Sequence, residues 1–405
     1  MAVGEHLFPE MHAVTGIKLG SCNAGVKQTV RDDLLVIELS EDGACAAVFT
    51  QNAFCAAPVQ LAKTHLEGME PRWLLINSGN ANAGTGKQGL QDAFACCAAL
   101  AGEVEGIAQQ VLPFSTGVIG QPLPVAKITA ALPKAVANLA ETHWPQAATA
   151  IMTTDTFPKG ASLKIEIGGQ PVVITGIAKG AGMIHPDMAT LLVFIATDAR
   201  IEQSLLQQAL HDAVEKSFNR ITVDGDTSTN DACVLLASGR SVAPEISAES
   251  PEYLKFRQAL RTVCGQLAEL IVRDGEGATK LIRIQVEQAS SAAEAVQVAK
   301  TIAHSPLVKT AFFASDANWG RILAAVGRAG LENFDLEKVQ IYLGTVCIVE
   351  NGGRAAAYLE QDGQRVMRQD DITITVRLGR GIAAEQVLTC DFSYDYVRIN
   401  AEYRT

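Results

Sequence analysis

The sequence predicts a mixed α/β fold, and three observations carry that prediction. Strand-like and helix-like segments alternate along all 405 residues, the pattern of a chain that layers helices on sheets. Several strand-like segments alternate in period two: Ile282, Ile284 and Val286 point one way while Arg283 and Gln285 point the other, as half-exposed strands do. Strands of that kind suit antiparallel or mixed sheets better than a doubly wound parallel one. Finally, hydrophobic residues make up 48% of the chain and aromatics only 5%, so the interior is built from Ala, Val, Leu and Ile.

In chain order, strands are expected at Leu34 to Leu39, Cys45 to Thr50, Trp73 to Asn77, Leu163 to Ile167, Pro171 to Ile177 and Leu191 to Thr197. Further strands follow at Ala232 to Ser238, Leu281 to Glu287, Val339 to Leu343, Ile372 to Leu378 and Val387 to Phe392. Gly168-Gly169 joins two of them as a hairpin with a primed turn, since adjacent glycines tolerate positive φ without steric cost. Helical periodicity appears at Leu205 to Phe218, where Leu206, Leu210, Ala213, Val214 and Ser217 share a face, at Tyr253 to Val272 and at Ala292 to Ala303. Asn318-Trp319-Gly320 leads into a shorter apolar helix, Arg321 to Arg328. No repeat, charge block or flexible linker marks a domain boundary.

Composition excludes several classes of function. The net charge is −11 and no basic run offsets it, so nucleic acid and anionic membrane are not expected partners. The amino-terminal residues show no basic segment followed by an apolar one, and apolar stretches such as Leu191 to Ala196 are far too short to span a bilayer. A cytoplasmic location is the expectation. The nine cysteines include no C-x-x-C pair and sit mostly in apolar contexts, which predicts buried reduced thiols rather than a disulfide framework or zinc site. Seven scattered histidines offer no ligand spacing either, and no metal is expected.

Two motifs tempt and fail. Gly84-Thr-Gly-Lys-Gln-Gly89 fits G-x-G-x-x-G, but the strand before it is expected to end at Asn77, leaving too long a connection for a phosphate-binding turn. Asp224-Gly-Asp-Thr-Ser-Thr-Asn-Asp231 resembles a calcium loop, yet Thr229 and Leu235 occupy the positions that need glycine and glutamate. A polar, site-lining loop is the better reading.

The informative segment is Lys179-Gly-Ala-Gly-Met-Ile-His-Pro-Asp-Met-Ala-Thr190, followed by Leu-Leu-Val-Phe-Ile-Ala-Thr-Asp198. Its glycines and proline deliver Ala189-Thr190 to the start of an apolar strand. A threonine there is ordinarily just a strand residue. The same placement is what a self-cleaving nucleophile needs: a rigid strand behind the hydroxyl and a glycine-rich stretch that can be held strained in front of it.

This block resembles the signature of the ornithine acetyltransferase (ArgJ) family, in which K-G-[SA]-G-M-I-x-P-x-M-A-T-[ML]-L contains an autoproteolytic Ala-Thr bond. Asn77 to Ala83, Ser115 to Gly120, Met152 to Thr156, Val223 to Asp231, Asp274 to Gly277, Asn318 to Arg321 and Asn400 to Thr405 resemble further family motifs, in the family's order. The resemblance covers nearly the whole chain. It implies a DmpA/ArgJ-like sandwich of mixed β-sheets with flanking helices, cleaved between Ala189 and Thr190 into an α chain (1–189) and a β chain (190–405), with the fragments assembled as an α2β2 heterotetramer. It further implies that Thr190 takes the acetyl group from N2-acetyl-L-ornithine and passes it to L-glutamate, in arginine biosynthesis, with acetyl-CoA as a possible co-substrate and no bound cofactor.

Residue by residue, the resemblance assigns the nucleophile to Thr190, the oxyanion hole to Thr116 and Gly117, and substrate binding to Thr153, Lys179, Thr190, Glu276, Asn400 and Thr405. Read without it, each has a plainer account: Ser115 to Gly120 as a turn before Pro122, Lys179 as a solvated lysine, Glu276 as an exposed carboxylate, the carboxy terminus as a frayed tail. The roles of His185 and Asp187 are open, as are a transferase confined to the ornithine reaction, an amino-terminal-nucleophile aminopeptidase or amidase, and an unprocessed binding protein.

Overall fold

A computed structural model describes residues 2–185, 191–248 and 250–402. In chain order the elements are β1 (Ile17–Cys22), β2 (Leu34–Leu39), β3 (Ala44–Phe49), α1 (Ala57–Gly68), β4 (Trp73–Asn80), α2 (Gly86–Glu103), β5 (Val111–Val118), α3 (Val125–Ala137) and α4 (Trp144–Ala150). There follow β6 (Lys159–Ile167), β7 (Gln170–Lys179), β8 (Leu192–Thr197), α5 (Gln203–Glu215), β9 (Ala232–Ala237), α6 (Pro251–Arg273) and β10 (Leu281–Ala289). The chain closes with α7 (Ala292–Ala303), α8 (Pro306–Phe313), α9 (Trp319–Gly327), β11 (Gln340–Leu343), β12 (Val346–Glu350), β13 (Gly353–Arg354), α10 (Glu360–Met367), β14 (Asp371–Arg377), β15 (Ala383–Cys390) and α11 (Tyr394–Glu402).

These strands form three sheets, ordered β1-β2-β4-β5, β3-β9-β8-β7-β6 and β13-β12-β11-β14-β10-β15. Each mixes directions as the half-exposed strands predict, with parallel pairs β4–β5, β8–β9 and β10–β14 among antiparallel neighbours. The period-two reading holds on β10, where Ile282, Ile284 and Val286 are buried and Arg283, Gln285 and Glu287 are half-buried.

The first two sheets pack face to face. Leu35 and Ile37 of β2, Leu74 and Ile76 of β4, and Phe114 of β5 share one core with Val173 and Ile177 of β7 and Phe194 of β8. Phe114 meets Phe194 edge to face across this layer, ring centroids 5.2 Å apart, a geometry that aligns one ring's positive edge with the other's negative face. The alternate residues Leu34, Val36 and Leu75 pack outward against α2 and α3. On the far side, Ile174, Val193, Ile195 and Leu235 pack against α5 and α6. The result is four layers, helix, sheet, sheet, helix, and β8 lies between two cores with all of its residues buried. That is why Leu192 to Thr197 reads as an unbroken apolar run. The third sheet covers one face with α7 and α9 and joins the rest through Leu281, Leu388 and Cys390. Seven of the nine cysteines are buried.

Several expectations need correction. Ser115 to Gly120 is not a plain turn, because its first four residues belong to β5, paired in parallel with β4. Strand β4 continues three residues past Asn77, to Asn80, so the separation from α2 is shorter than the sequence suggests. The glycines after it serve the turn itself: the Thr85 hydroxyl donates to Asn82 Oδ1 at 2.7 Å, Asn82 Nδ2 donates to the Gly89 carbonyl at 2.9 Å, and a Cβ on Gly89 would lie 1.9 Å from Thr85 Oγ1. The Gly168-Gly169 hairpin is as expected, with φ values of 55° and 77°. Among the described residues, no helix is long and apolar enough to cross a membrane.

Candidate active site

A cleft of about 270 Å³ opens where β5 and β7 end, lined by Thr116, Gly117, Thr153, Lys179, Glu276 and Asn400 together with Val118, Ile119, Thr154, Gly182, Met183, Ser228, Thr229 and Asn230. The described residues that the resemblance assigns to catalysis and binding thus converge on one cavity. They arrive from five separate parts of the chain.

Thr116 and Gly117 stand at the end of β5, opposite Ser78 and Gly79 of β4. The two strands approach so closely that a Cβ on Gly117 would lie 2.3 Å from the Gly79 carbonyl carbon, and Gly117 holds φ at +136°, conformation and space that favour glycine. Behind this segment, Ser115 donates to Asn77 Oδ1 at 2.6 Å, and Asn230 Nδ2 donates to the carbonyls of Ser115 and Ala81 at 2.9 and 2.6 Å. Asn230 belongs to the loop with the calcium-like pattern, which lines the cleft as expected. Its other end is also engaged: Asp224 accepts hydrogen bonds from the amides of Met183 and Ile184 at 2.6 and 2.9 Å, holding the stretch that leads toward the Ala-Thr pair.

Lys179 ends β7 beside Leu192 of β8 and donates from Nζ to Thr116 Oγ1 at 3.1 Å. Because the lysine supplies that proton, the Thr116 hydroxyl keeps its own for another acceptor. Asp231, fully buried next to Ala232 of β9, has one carboxylate oxygen without a hydrogen-bond partner. Burial pushes its pKa well above the usual carboxylate range, against the attraction of Lys179.

Glu276 is no exposed carboxylate. It is 7% exposed, it accepts from Asn400 Nδ2 at 2.8 Å, and its amide donates to the Ala181 carbonyl at 2.8 Å. A Cβ on Gly182 would come within 2.4 Å of the Glu276 carboxyl carbon, so a side chain there would displace the carboxylate. The adjoining Gly277, at φ +71°, lies against the amide of Tyr396 at the start of α11, so the acidic turn and the helix bearing Asn400 are fitted together.

Thr153 is held by two polar groups, the buried Asp155 and the half-buried Lys27. Its amide donates to Asp155 at 2.9 Å, and the preceding Met152 carbonyl accepts from Lys27 Nζ at 3.0 Å. Burial and the Arg31 charge bring the Lys27 ammonium pKa down to about 8. Asp155 also accepts from Lys159 Nζ and from the Gly180 amide at 2.6 and 2.7 Å. Although burial opposes it, the charges of Lys159 and Lys179 hold the Asp155 carboxyl below its ordinary range. Asp155 and Lys159 stand four residues apart, but with a proline between them and no helical periodicity the spacing gave no signal.

Ala189, Thr190, Asp187 and Thr405 lie outside the described residues. His185, just before them, sets Nδ1 3.0 Å from the Gly225 carbonyl and stacks obliquely on His304, centroids 4.3 Å apart. Asn318 to Arg321 does not line the cleft: Asn318 Oδ1 caps α9 by accepting from the Arg321 amide at 3.1 Å. Among the described residues no group of three or more His, Cys, Asp and Glu side chains is arranged to hold a metal ion.

The comparisons with known proteins agree with one another. The chain is 63% identical over 97% of its length to the arginine biosynthesis bifunctional protein ArgJ of Methylococcus capsulatus, covering 96% of that protein. It is 53% identical to the protein of the same name from Pseudomonas fluorescens, over the full length of both. The crystal structure of the Bacillus halodurans arginine biosynthesis bifunctional protein ArgJ matches 51% of this chain and 97% of that one, at 43% identity and a TM-score of 0.49. The model of the ArgJ family matches residues 18–405, and the chain belongs to that family.

Proposed function

We propose that this acyltransferase moves the acetyl group of N2-acetyl-L-ornithine to L-glutamate through an acetyl ester of Thr190, after cleaving itself between Ala189 and Thr190. The observation that carries the reading is the convergence of Thr116, Gly117, Thr153, Lys179, Glu276 and Asn400 on one cleft. The names of the relatives support a bifunctional enzyme of arginine biosynthesis.

Cleavage leaves a threonine with hydroxyl and α-amine on the same residue. An α-amine with pKa near 7.7 is roughly 15–20% free base at pH 7, against about 0.04% for an ordinary lysine near 10.4. That amine takes the hydroxyl proton as Oγ attacks the acetyl carbonyl carbon, so no histidine is required. The negative charge of the tetrahedral intermediate falls to the Thr116 hydroxyl and the Gly117 amide. As the bond from carbon to the ornithine nitrogen breaks, the Thr190 ammonium returns its proton to the leaving amine. The α-amine of glutamate then attacks the ester, and the sequence runs in reverse. Lys179 pairs with the substrate carboxylate and Glu276 with the side-chain ammonium of ornithine, while Asn400 and Thr405 close the site against water, which would turn the acetyl-enzyme into a hydrolase intermediate.

Acetyl-CoA serves as a second donor to Thr190 in this reading, and two copies of each fragment assemble as α2β2. The test begins with intact mass under denaturing conditions. Two chains that break before Thr190 and sum to the 42.9 kDa precursor plus one water are expected. The processed protein should then move acetyl from acetylornithine to glutamate, with ornithine released before glutamate is needed. A single uncleaved chain, or release of free acetate irrespective of glutamate, would overturn the proposal. Acetyl-CoA as sole donor separates the bifunctional from the monofunctional enzyme, and a native mass of twice the precursor tests the tetramer.

A further inference from the structure

Beneath the cleft lies a cluster of charge that touches none of its surface. Lys159, Asp155 and Asp274 are buried, with the side chains of all three fully enclosed, and Lys159 Nζ stands 2.6 Å from a carboxylate oxygen of each aspartate. A buried lysine between two carboxylates is costly to assemble and destabilising to break. The remaining hydrogen bonds of the cluster are therefore informative, because they show what it holds.

They end mostly on backbone groups beside three of the polar residues of the cleft, Thr153, Lys179 and Glu276. Asp155 accepts from the amide of Thr153 itself and from that of Gly180, the residue after Lys179. Asp274 accepts from the amide of Thr156 at 2.9 Å and from its hydroxyl. Asp274 also caps the end of α6, two residues before Glu276. Lys159 thus ties the segment carrying Lys179 to the turn carrying Glu276 through a buried side-chain bridge. The same turn is closed from the other side by the Glu276 amide on Ala181.

We propose that the Lys159–Asp155–Asp274 cluster is a positioning element that fixes the separation of Lys179 and Glu276, and through it the length of the diamino acid the enzyme accepts as acetyl donor. The inference rests on the proposed function, in which Lys179 meets the carboxylate and Glu276 the far ammonium. Two rigidly spaced charges act as a ruler: a donor with one methylene more or less cannot satisfy both, and a single methylene is worth about 10- to 200-fold in discrimination. Loosening the joint lets the spacing adapt, so discrimination falls even where overall rate falls too.

The experiment compares kcat/KM for N2-acetyl-L-ornithine with that for N2-acetyl-L-lysine, one methylene longer. The ratio is independent of how much protein is folded and processed, because both donors compete for the same active molecules. Wild type should prefer acetylornithine at least tenfold, and Lys159→Met and Asp274→Asn should each reduce that preference by about tenfold or more. Ile374→Ala, a cavity in the core of the third sheet, should lower stability without changing the ratio. An unchanged ratio in both cluster variants, an equal fall in Ile374→Ala, or a wild type that does not distinguish the donors would overturn the ruler. A wild type that transfers no acetyl group would instead sink the functional reading. Hydrogen exchange, which needs no substrate, then decides the joint: Lys159→Met should deprotect the Gly180 and Thr156 amides together, and wild-type protection at both would refute it.

Discussion

Gly117→Ala is the sharpest test of the oxyanion assignment, because the structure sets its consequence. The new Cβ would lie 2.3 Å from the Gly79 carbonyl carbon, 2.5 Å from the Asn80 nitrogen and 2.6 Å from the Gly79 oxygen. All three are backbone atoms of the neighbouring strand and cannot rotate away. Ordinary contact begins near 3.4 Å, so β5 must move from β4 by about 1 Å, and φ at +136° adds strain of its own. The amide proposed to hold the oxyanion moves with it. Misplacement by 1 Å costs on the order of 100-fold, and loss of one oxyanion donor about 100- to 1000-fold, or roughly 2.7–4 kcal/mol of transition-state stabilisation. The assay is single-turnover acetylation of the processed protein by acetylornithine. Gly239→Ala, at φ +66° with nothing within 4 Å of the new Cβ, is the control: it carries a left-handed penalty of roughly 1–2 kcal/mol in stability and no effect on acetylation. A folded, cleaved Gly117→Ala protein that acetylates within threefold of wild type would refute the assignment.

Thr190→Ala should abolish both cleavage, read as one intact mass, and acetyl transfer; transfer persisting in the uncleaved chain would count against a threonine ester. Glu276→Gln should lower kcat/KM for acetylornithine by about 10- to 150-fold, the worth of a charge-assisted hydrogen bond at roughly 1.5–3 kcal/mol, while the glutamate half-reaction, which brings no ammonium to that end, changes less. His304 gives a pH dependence with a definite sign. Burial first, then the charges of His185, Lys300, Lys309 and Arg328, bring its pKa down to about 3, whereas the unfolded chain takes up that proton near 6.5. The unfolded state therefore binds more protons between these values, and stability falls as pH drops from about 6.5 toward 3. At pH 5 the loss is at most about 2 kcal/mol, reduced by solvent at the partly exposed ring. Chemical denaturation from pH 7 to 5 should show a shallower decline in His304→Phe, and equal slopes would show that the histidine does not contribute.

What could be read in the sequence follows from what leaves a periodic trace. Strands with a repeating apolar face or an unbroken apolar run, such as β8 and β10, were placed within a residue or two. Strand β5, Val-Leu-Pro-Phe-Ser-Thr-Gly-Val, was not, since a proline, two hydroxyls and a glycine are poor strand formers until a parallel neighbour receives them. Helix α3 carries Pro133 inside it, which reads as a boundary. The site divides along the same line. Thr116, Gly117, Thr153, Lys179, Glu276 and Asn400 were named through family resemblance, and the cleft gathers them. Asp155 and Asn230 lie within family-like motifs, but what they hold is not legible, because their partners are set by tertiary approach: Asn230 reaches carbonyls 149 and 115 residues away. No window of local sequence contains such a pair.

The sheet order also bears on the proposed cleavage between Ala189 and Thr190. β7 and β8 are neighbours in the second sheet, and so are β3 and β9, so a break between them leaves β3, β6 and β7 on one fragment and β8 and β9 on the other. That sheet is interleaved from both chains. Its two faces are buried in two cores, each drawing residues from either side of the break. The Asp274 bond to Lys159 and the Asn230 bonds to Ser115 and Ala81 cross it as well. A new amino terminus can therefore be made at the start of β8 without releasing either fragment, because the hydrogen bonds and apolar contacts that hold the strand are made with residues remote in sequence. The same interleaving brings Thr116 and Gly117 from one side of the proposed break and Glu276 from the other to one cleft. On this architecture the proposed cut is not a loss that the fold must tolerate: it would expose an amine next to a strand held by burial on both faces.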